Sequence, residues 1–233
     1  MAKKPADKPD TRNELVEAAW ELFAHQGYEG TTINAIIEKV GMSKGAFYHY
    51  FDSKQALLDG LIEQMLDEAE LVLRPIVEAK DLSAVEKMQR YLDTGGRWKI
   101  AQKAFMLDLL RVWHTDSNSL VRQKQETAAM KRIAPMLSEI IRQGIAEGAF
   151  TTKYPDQFGS MILGLSRGIE EAISELLLTE EPPPDALQRL EAIIGAYSES
   201  FERILGAPAG SLLLGDVDML KEWLAEPEDV ENS

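Results

Sequence analysis

Residues 40–54 read VGMSKGAFYHYFDSK, and how they are read decides the fold. Phe47, Tyr48, His49, Tyr50 and Phe51 form an unbroken run of rings between Lys44 and Lys54. A buried strand accounts for the rings but not the lysines. A solvated helix accounts for the lysines but not the rings. Both are accommodated if VGMS is a tight turn joining two helices, because Gly41 supplies a positive φ at little cost and Ser43 is a good N-cap. Ile36, Val40, Met42, Phe47 and Tyr50 then fall where the two helices face each other and the helix before them. Phe51 seals the junction with the next helix. Ser43, Lys44, Gly45, Tyr48, His49 and Lys54 are left at helix starts or on the outward side. In such a helix-turn-helix the N-terminal end of the second helix enters the major groove of DNA. Gly45 there lets the backbone approach the duplex, Tyr48 and His49 offer donors to phosphates, and Tyr48 can pack on a thymine methyl. Lys54, in a first helical turn, opposes the helix dipole, an objection that a phosphate partner would remove.

Working outward, the pattern is helical throughout, without sustained period-2 alternation. Upstream, Thr11-Arg-Asn-Glu14 forms a capping box for a helix with Leu15, Ala19, Leu22 and Phe23 on one face, and Gly27 is its expected stop. Thr31 or Thr32 opens a second helix carrying Ile33, Ile36, Ile37 and Val40. Downstream, Asp52 with Gln55 caps a fourth helix that runs through Leu57, Leu61 and Leu66 to an expected end or kink at Pro75. Ser83-Ala-Val-Glu86 is another capping box, Gly95-Gly96 is an expected interruption beyond it, and Phe105 to Trp113 resumes a helix. A long helix from Asp116 or Ser117 is expected to break at Pro135, and an apolar one spans about 156–179. Asp185 with Gln188 caps a helix to about Leu205, and a last amphipathic helix starts at Ser211 with Leu213, Val217, Leu220 and Leu224 on one face. The expected organisation is a disordered arm at 1–10, a helix-turn-helix domain at 11–53, a helical domain at 54–205, and a linker, extra helix and acidic tail at 206–233.

With 233 residues, 45% of them hydrophobic, the chain can bury a sizeable core. It has no cysteine, which excludes disulfides, Cys-type zinc or iron–sulfur sites and a Cys nucleophile. The N-terminus lacks the apolar core of a signal peptide, and no apolar run approaches the ~20 residues of a membrane span, so a cytoplasmic location is expected. Residues 1–54 carry 7 Lys+Arg against 8 Asp+Glu, and the remainder carries 18 against 31, so nearly all of the net −14 lies beyond the first quarter. Such a body repels polyanions, and any DNA contact must come from a local surface near the N-terminus. Gly164-Leu-Ser-Arg-Gly168 matches a nucleophile elbow, but it lies inside an apolar helix with no strand nearby, so catalysis through Ser166 is not expected. Close helix packing at Gly159, Gly164 and Gly168 is the better reading. His25, His49 and His114 have no metal-ligand spacing, and neither a metal nor another cofactor is expected.

TTINAIIEKVGMSKGAFYHYFDSKQALL, residues 31–58, resembles the DNA-binding signature of the TetR (tetracycline-repressor-like) family: a Thr-led helix, a Gly-hydrophobic-Ser turn, a Lys-Gly recognition helix ending in aromatics, and a Lys opening the next helix. One departure is Ile37, where many members carry Ala. The resemblance covers roughly residues 11–60. It implies an all-α, Ω-shaped homodimer, with a three-helix DNA-binding domain and a larger helical domain for ligand binding and dimerisation. By position, Thr32, Ser43, Lys44, Gly45, Tyr48, His49 and Lys54 would touch a palindromic operator. The implied effector pocket draws on Tyr91, Trp98, Phe105, Met106, Trp113, His114, Met130, Met161 and Arg167, with His114 as a polar handle in an apolar site. The acidic body favours a cationic or neutral effector, whereas Arg167 favours an anion; both stay open. Gly164, Gly168, Ile193 and Tyr197 would lie at the dimer interface. The implied function is a repressor released by a small apolar molecule, and its rival is a DNA-binding regulator controlled without an inducer.

Overall fold

The computed structural model describes residues 9–101, 103, 106–107, 110, 119–179 and 182–225. These form α1 (Pro9–Gly30), α2 (Ile33–Val40), α3 (Lys44–Tyr50), α4 (Lys54–Glu78), α5 (Ala84–Ala101), α6 (Ser119–Glu147), α7 (Pro155–Leu177), α8 (Ala186–Leu205) and α9 (Val217–Leu224). Between α5 and α6, Met106, Leu107 and Leu110 are helical and buried. No strand occurs among the described residues. By contact the chain divides into residues 1–65 with 111–128, and residues 66–110 with 129–233.

In the first unit α1 begins at Pro9, so Thr11 lies inside the helix and does not cap it. Proline suits a first helical position because its φ is already helical and its missing N–H had no partner to lose. At Gly27 the backbone reaches φ 79°, ψ 159°, a region essentially closed to residues with a Cβ, and a final turn continues to Gly30. The expected stop is therefore a kink. Thr31 secures it, its hydroxyl donating to the Gly27 carbonyl at 2.8 Å and its N–H to the same oxygen at 3.1 Å. The Thr32 hydroxyl then caps α2 by accepting from Ala35 N–H. Gly41 ends α2 in the left-handed conformation (φ 72°), with Gly41 N–H bonded to Glu38 O and Met42 N–H to Ile37 O, a Schellman closure.

The Ser43 hydroxyl caps α3 from Ala46 N–H at 3.2 Å. Phe47, Phe51 and Ile36 are buried, as are Leu15, Ala19 and Phe23 of α1 and Leu57, Leu58 and Leu61 of α4, whereas Val40, Met42 and Tyr50 are half-buried. Ser53, rather than Asp52, caps α4, its hydroxyl accepting from Ala56 N–H at 3.0 Å.

Three breaks expected from local propensity do not occur. α4 runs through Pro75, α5 through Gly95-Gly96 and α6 through Pro135. Pro75 and Pro135 are exposed while Leu73, Val77, Ile133, Met136 and Leu137 around them are buried. An apolar face packed in the core outweighs the ~3 kcal/mol that an interior proline costs.

In the second unit the Ser83–Glu86 capping box forms, with Ser83 N–H donating to Glu86 Oε2 (2.9 Å) and Glu86 N–H to Ser83 Oγ (3.3 Å). The Ser83 hydroxyl, donating to Glu86 Oε2 at 2.7 Å, and then the Ser83 N–H hold the Glu86 carboxyl below its ordinary pKa. Buried Lys87 donates to the Val77 carbonyl at 2.7 Å, joining α5 to the last turn of α4. Arg132 of α6 forks onto Glu70 (2.8 Å) and Asp67 (2.7 Å) of α4.

Asp185 does not cap α8 through its side chain; it accepts from Arg189 Nε at 2.9 Å. The last helix starts at Val217, six residues later than expected, capped by Asp216 accepting from Met219 N–H at 2.8 Å. Residues 211–216 form a non-helical strap whose amides find side-chain acceptors. Leu212, not Leu213, is consequently the buried residue of the strap. α9 packs on α5 and α8.

Candidate nucleic-acid interface

The turn and the two N-caps leave Thr32, Ser43, Lys44, Gly45, Tyr48 and His49 exposed on one stretch of surface. The Thr32 and Ser43 oxygens are occupied as caps, so their O–H protons remain to donate outward. Tyr48 is 44% exposed, and its ring stands edge-on to that of buried Phe47, with centroids 5.3 Å apart. His49 meets Tyr50 edge-on at 5.2 Å. Phe47 thus fixes the ring next to it, so the buried set orients the exposed one.

Gly45 is the informative member. Its backbone does not have positive φ, and a Cβ built on it would meet nothing within 4 Å. Nothing inside the chain requires glycine there, and glycine costs a helix interior about 1 kcal/mol relative to alanine. The residue makes sense if another molecule's surface comes against α3.

Cations are sparse here. Lys39 is paired with Glu21, and the Arg12 guanidinium lies 5.1 Å from the Phe51 ring centroid. Lys44 makes no ion pair among the described residues. Lys54 has a task inside the chain that the sequence did not suggest: its Nζ donates to the carbonyls of Tyr28 (2.6 Å) and Thr31 (2.9 Å) and sits 4.2 Å from the Tyr28 ring centroid. The kink at Gly27 turns these carbonyls toward the start of α4, and the ammonium satisfies them. That contact also answers the helix-dipole objection to a lysine at this position. Lys54→Met should destabilise the first unit by roughly 1–3 kcal/mol, since two carbonyls lose a charged donor. Chemical denaturation of the two proteins checks this.

The residues expected at an effector pocket differ in burial. Trp98 is half-buried and Met106 is buried, but Met130 and Met161 are 39% and 48% exposed. The adjacent residues Ala129 and Ile162 take the core-facing positions, which turns Met130 and Met161 outward. Arg167 is half-buried, and Phe105, Trp113 and His114 lie outside the described residues. Tyr91 stands out instead. It is 7% exposed, its hydroxyl has no hydrogen-bond partner among the described residues, and burial pushes its pKa above the ordinary value. Tyr91→Phe should hold or raise the melting temperature, because an unsatisfied buried polar group costs about 1–3 kcal/mol.

At the expected dimer positions, Gly164 is exposed with open space around it, and Ile193 and Tyr197 are half-buried. A Cβ on Gly168 would lie 2.9 Å from the Tyr197 hydroxyl of the same chain, and one on Gly159 would meet Ser138 and Ala134 of α6. At these two glycines the close neighbour is therefore intramolecular. Ser166 Oγ donates to the Ile162 carbonyl within its own helix, at 3.1 Å. No group of three or more potential metal ligands, and no helix long and apolar enough to cross a membrane, occurs among the described residues.

An all-helical chain whose N-terminal unit displays a capped helix-turn-helix belongs to the class of DNA-binding regulators. Residues 15–61 match the family of bacterial regulatory proteins called tetR, and residues 108–172 match the tetracyclin repressor-like C-terminal domain. The HTH-type transcriptional repressor KstR2 of Rhodococcus jostii is 38% identical over 72 residues, covering 29% of this chain but only 35% of that protein's length. KstR2 of Mycobacterium tuberculosis is 28% identical over 151 residues, which is 60% of this chain and 68% of that one. Among solved structures, Salmonella enterica GusR superposes with a TM-score of 0.62 at 18% identity, covering 88% of this chain and 100% of that one. The TetR-family regulator ECA1819 of Pectobacterium atrosepticum gives 0.57 at 21%, with the same two coverages. Together these matches support a DNA-binding transcriptional regulator of the TetR family, not an enzyme.

Proposed function

We propose that this protein is a ligand-responsive repressor, a homodimer that binds a palindromic operator and is released by a small apolar molecule. In this reading residues 11–53 contact DNA, 54–205 bind ligand and dimerise, and the recognition helices α3 of two protomers sit ~34–36 Å apart in successive major grooves. The observation that carries the DNA-contact assignment is Gly45, a helical glycine on the exposed face with no internal reason to be one. Lys44, Tyr48, His49, Thr32 and Ser43 surround it as donors, whereas Lys54 acts by holding α1 to α4. The repressor sense is supported by the relatives' names, which are those of transcriptional repressors.

Dimerisation is supported by the outward faces of α7 and α8, where Met161, Gly164 and Ala172 and then Ala192, Gly195 and Ala196 are small or apolar and uncovered in the single chain. An effector site in the second unit is supported by the Tyr91 hydroxyl, a buried donor awaiting a partner.

The test uses operator fragments selected from genomic DNA, with binding followed by fluorescence anisotropy across a salt series. Gly45→Ala should weaken binding although it favours the helix by about 1 kcal/mol. Lys44→Ala should weaken binding across sequences and lower the salt slope by about one. Sedimentation should show the dimer intact in both. Unchanged affinity in Gly45→Ala would remove the main support for the interface.

A further inference from the structure

Between α8 and the segment 210–220 lies a cavity of about 310 Å³. That is at the small end of the range for organic ligand sites, roughly 300–1,000 Å³. Ile194 of α8, Leu212 of the strap, and Val217 and Leu220 of α9 supply its apolar wall. Its polar lining includes three carboxylates and no lysine or arginine.

The strap that closes this cavity is held by three consecutive backbone amides. Leu212 N–H donates to Glu202 Oε1 (2.9 Å), Leu213 N–H to Gln89 Oε1 (2.7 Å) and Leu214 N–H to Ser198 Oγ (3.1 Å). At two of the three a neutral oxygen suffices. At the third the chain uses Glu202, a residue only 8% exposed, and its second carboxylate oxygen makes no hydrogen bond among the described residues. A carboxylate that faces a confined, partly apolar cavity is stabilised by a cation, whereas a glutamine would hold the same amide with no charge to balance. The nearest arginine in sequence, Arg203, pairs with Glu199 on the rim. Glu191, also on the rim, has no ion pair among the described residues.

We propose that this cavity binds a small organic cation with an apolar body, such as a protonated primary amine on a short chain. Its ammonium pairs with Glu202, and its chain lies along Ile194 and Val217. The site is separate from the effector pocket suggested by Tyr91. A second copy of the chain is a poorer occupant on charge, since a protein of net −14 would bring further negative charge to three carboxylates.

The test is calorimetric titration of the full chain with octylammonium, 1-octanol and octanoate, which share a chain and differ in charge. Octylammonium should bind about tenfold or more tightly than 1-octanol, as expected for a hydrogen bond to a charged group, and octanoate should not bind. Glu202→Gln keeps an oxygen for the Leu212 amide, so it should bring octylammonium down to the 1-octanol level and leave 1-octanol unchanged. Val217→Trp, which fills the cavity from an exposed position, should abolish binding of both. Equal affinities in the unaltered protein, or octylammonium binding that survives Val217→Trp, would overturn the proposal. Octylammonium binding only after a dimer dissociates would assign the groove to a second copy and would equally overturn it.

Discussion

Replacing Phe47 with alanine is expected to cost the N-terminal unit about 3–5 kcal/mol, the usual penalty for removing a buried aromatic ring. Phe47 is fully buried on α3, its centroid 6.2 Å from that of Phe51 and 5.3 Å from that of Tyr48. α3 has seven residues, too few to persist without packing, and Phe47 is its one buried side chain. Total stabilities of ~5–15 kcal/mol leave little reserve against such a loss. The denaturation midpoint should fall steeply, and the amides of α2 and α3 should lose hydrogen-exchange protection. Tyr48→Ala, one position along, should change stability by only about 0.5 kcal/mol, as surface substitutions do, while weakening DNA binding. Equal stability losses in the two variants would contradict the division of this helix into a buried side and a presented one.

The second large effect is expected at Gly159→Ala. A Cβ there would fall 2.1 Å from Ser138 Oγ, 2.5 Å from the Ala134 carbonyl oxygen and 3.0 Å from Ser138 N. The hydroxyl could rotate away, at the cost of its bond to the Ala134 carbonyl. The two backbone atoms cannot. α6 and α7 must therefore move apart over a buried stretch that includes Ile162, Leu137 and Ile141. Overpacking typically costs 1–3 kcal/mol, and with backbone on the receiving side we expect about 3. Gly164→Ala, in the same helix but with open space around it, should instead stabilise the chain by roughly 0.5–1 kcal/mol. Thermal melts of the pair give the comparison directly. Should Gly164→Ala also weaken self-association, the partner's helix seats at that point.

Much of the helix-turn-helix was legible because its determinants are local. Thr32 and Ser43 each accept from an amide three residues on, and Gly41 closes α2 against carbonyls a few residues back. The alternation of buried Phe47 and Phe51 with exposed Tyr48 and His49 follows from helical period once the turn is placed. The same local logic failed at Pro75, Pro135 and Gly95-Gly96, where the packed apolar face of a long helix overrode propensity. It also misplaced the last helix, because the amides of Leu212 to Leu214 found Glu202, Gln89 and Ser198 and so needed no helix.

The sequence by itself determined the all-α class, the helix-turn-helix and the residues its second helix presents, since period, caps and turn glycines act within a few residues. Only the tertiary structure decided that Lys54 serves the carbonyls of Tyr28 and Thr31, 26 and 23 positions away. It alone paired Gly159 with α6, left the Tyr91 hydroxyl without a partner among the described residues and set Glu202 beside the strap. The reason is one of range. A cap or turn is satisfied by neighbours that the chain must bring near, whereas the partner of a long side chain or a close-packed glycine depends on which helices meet.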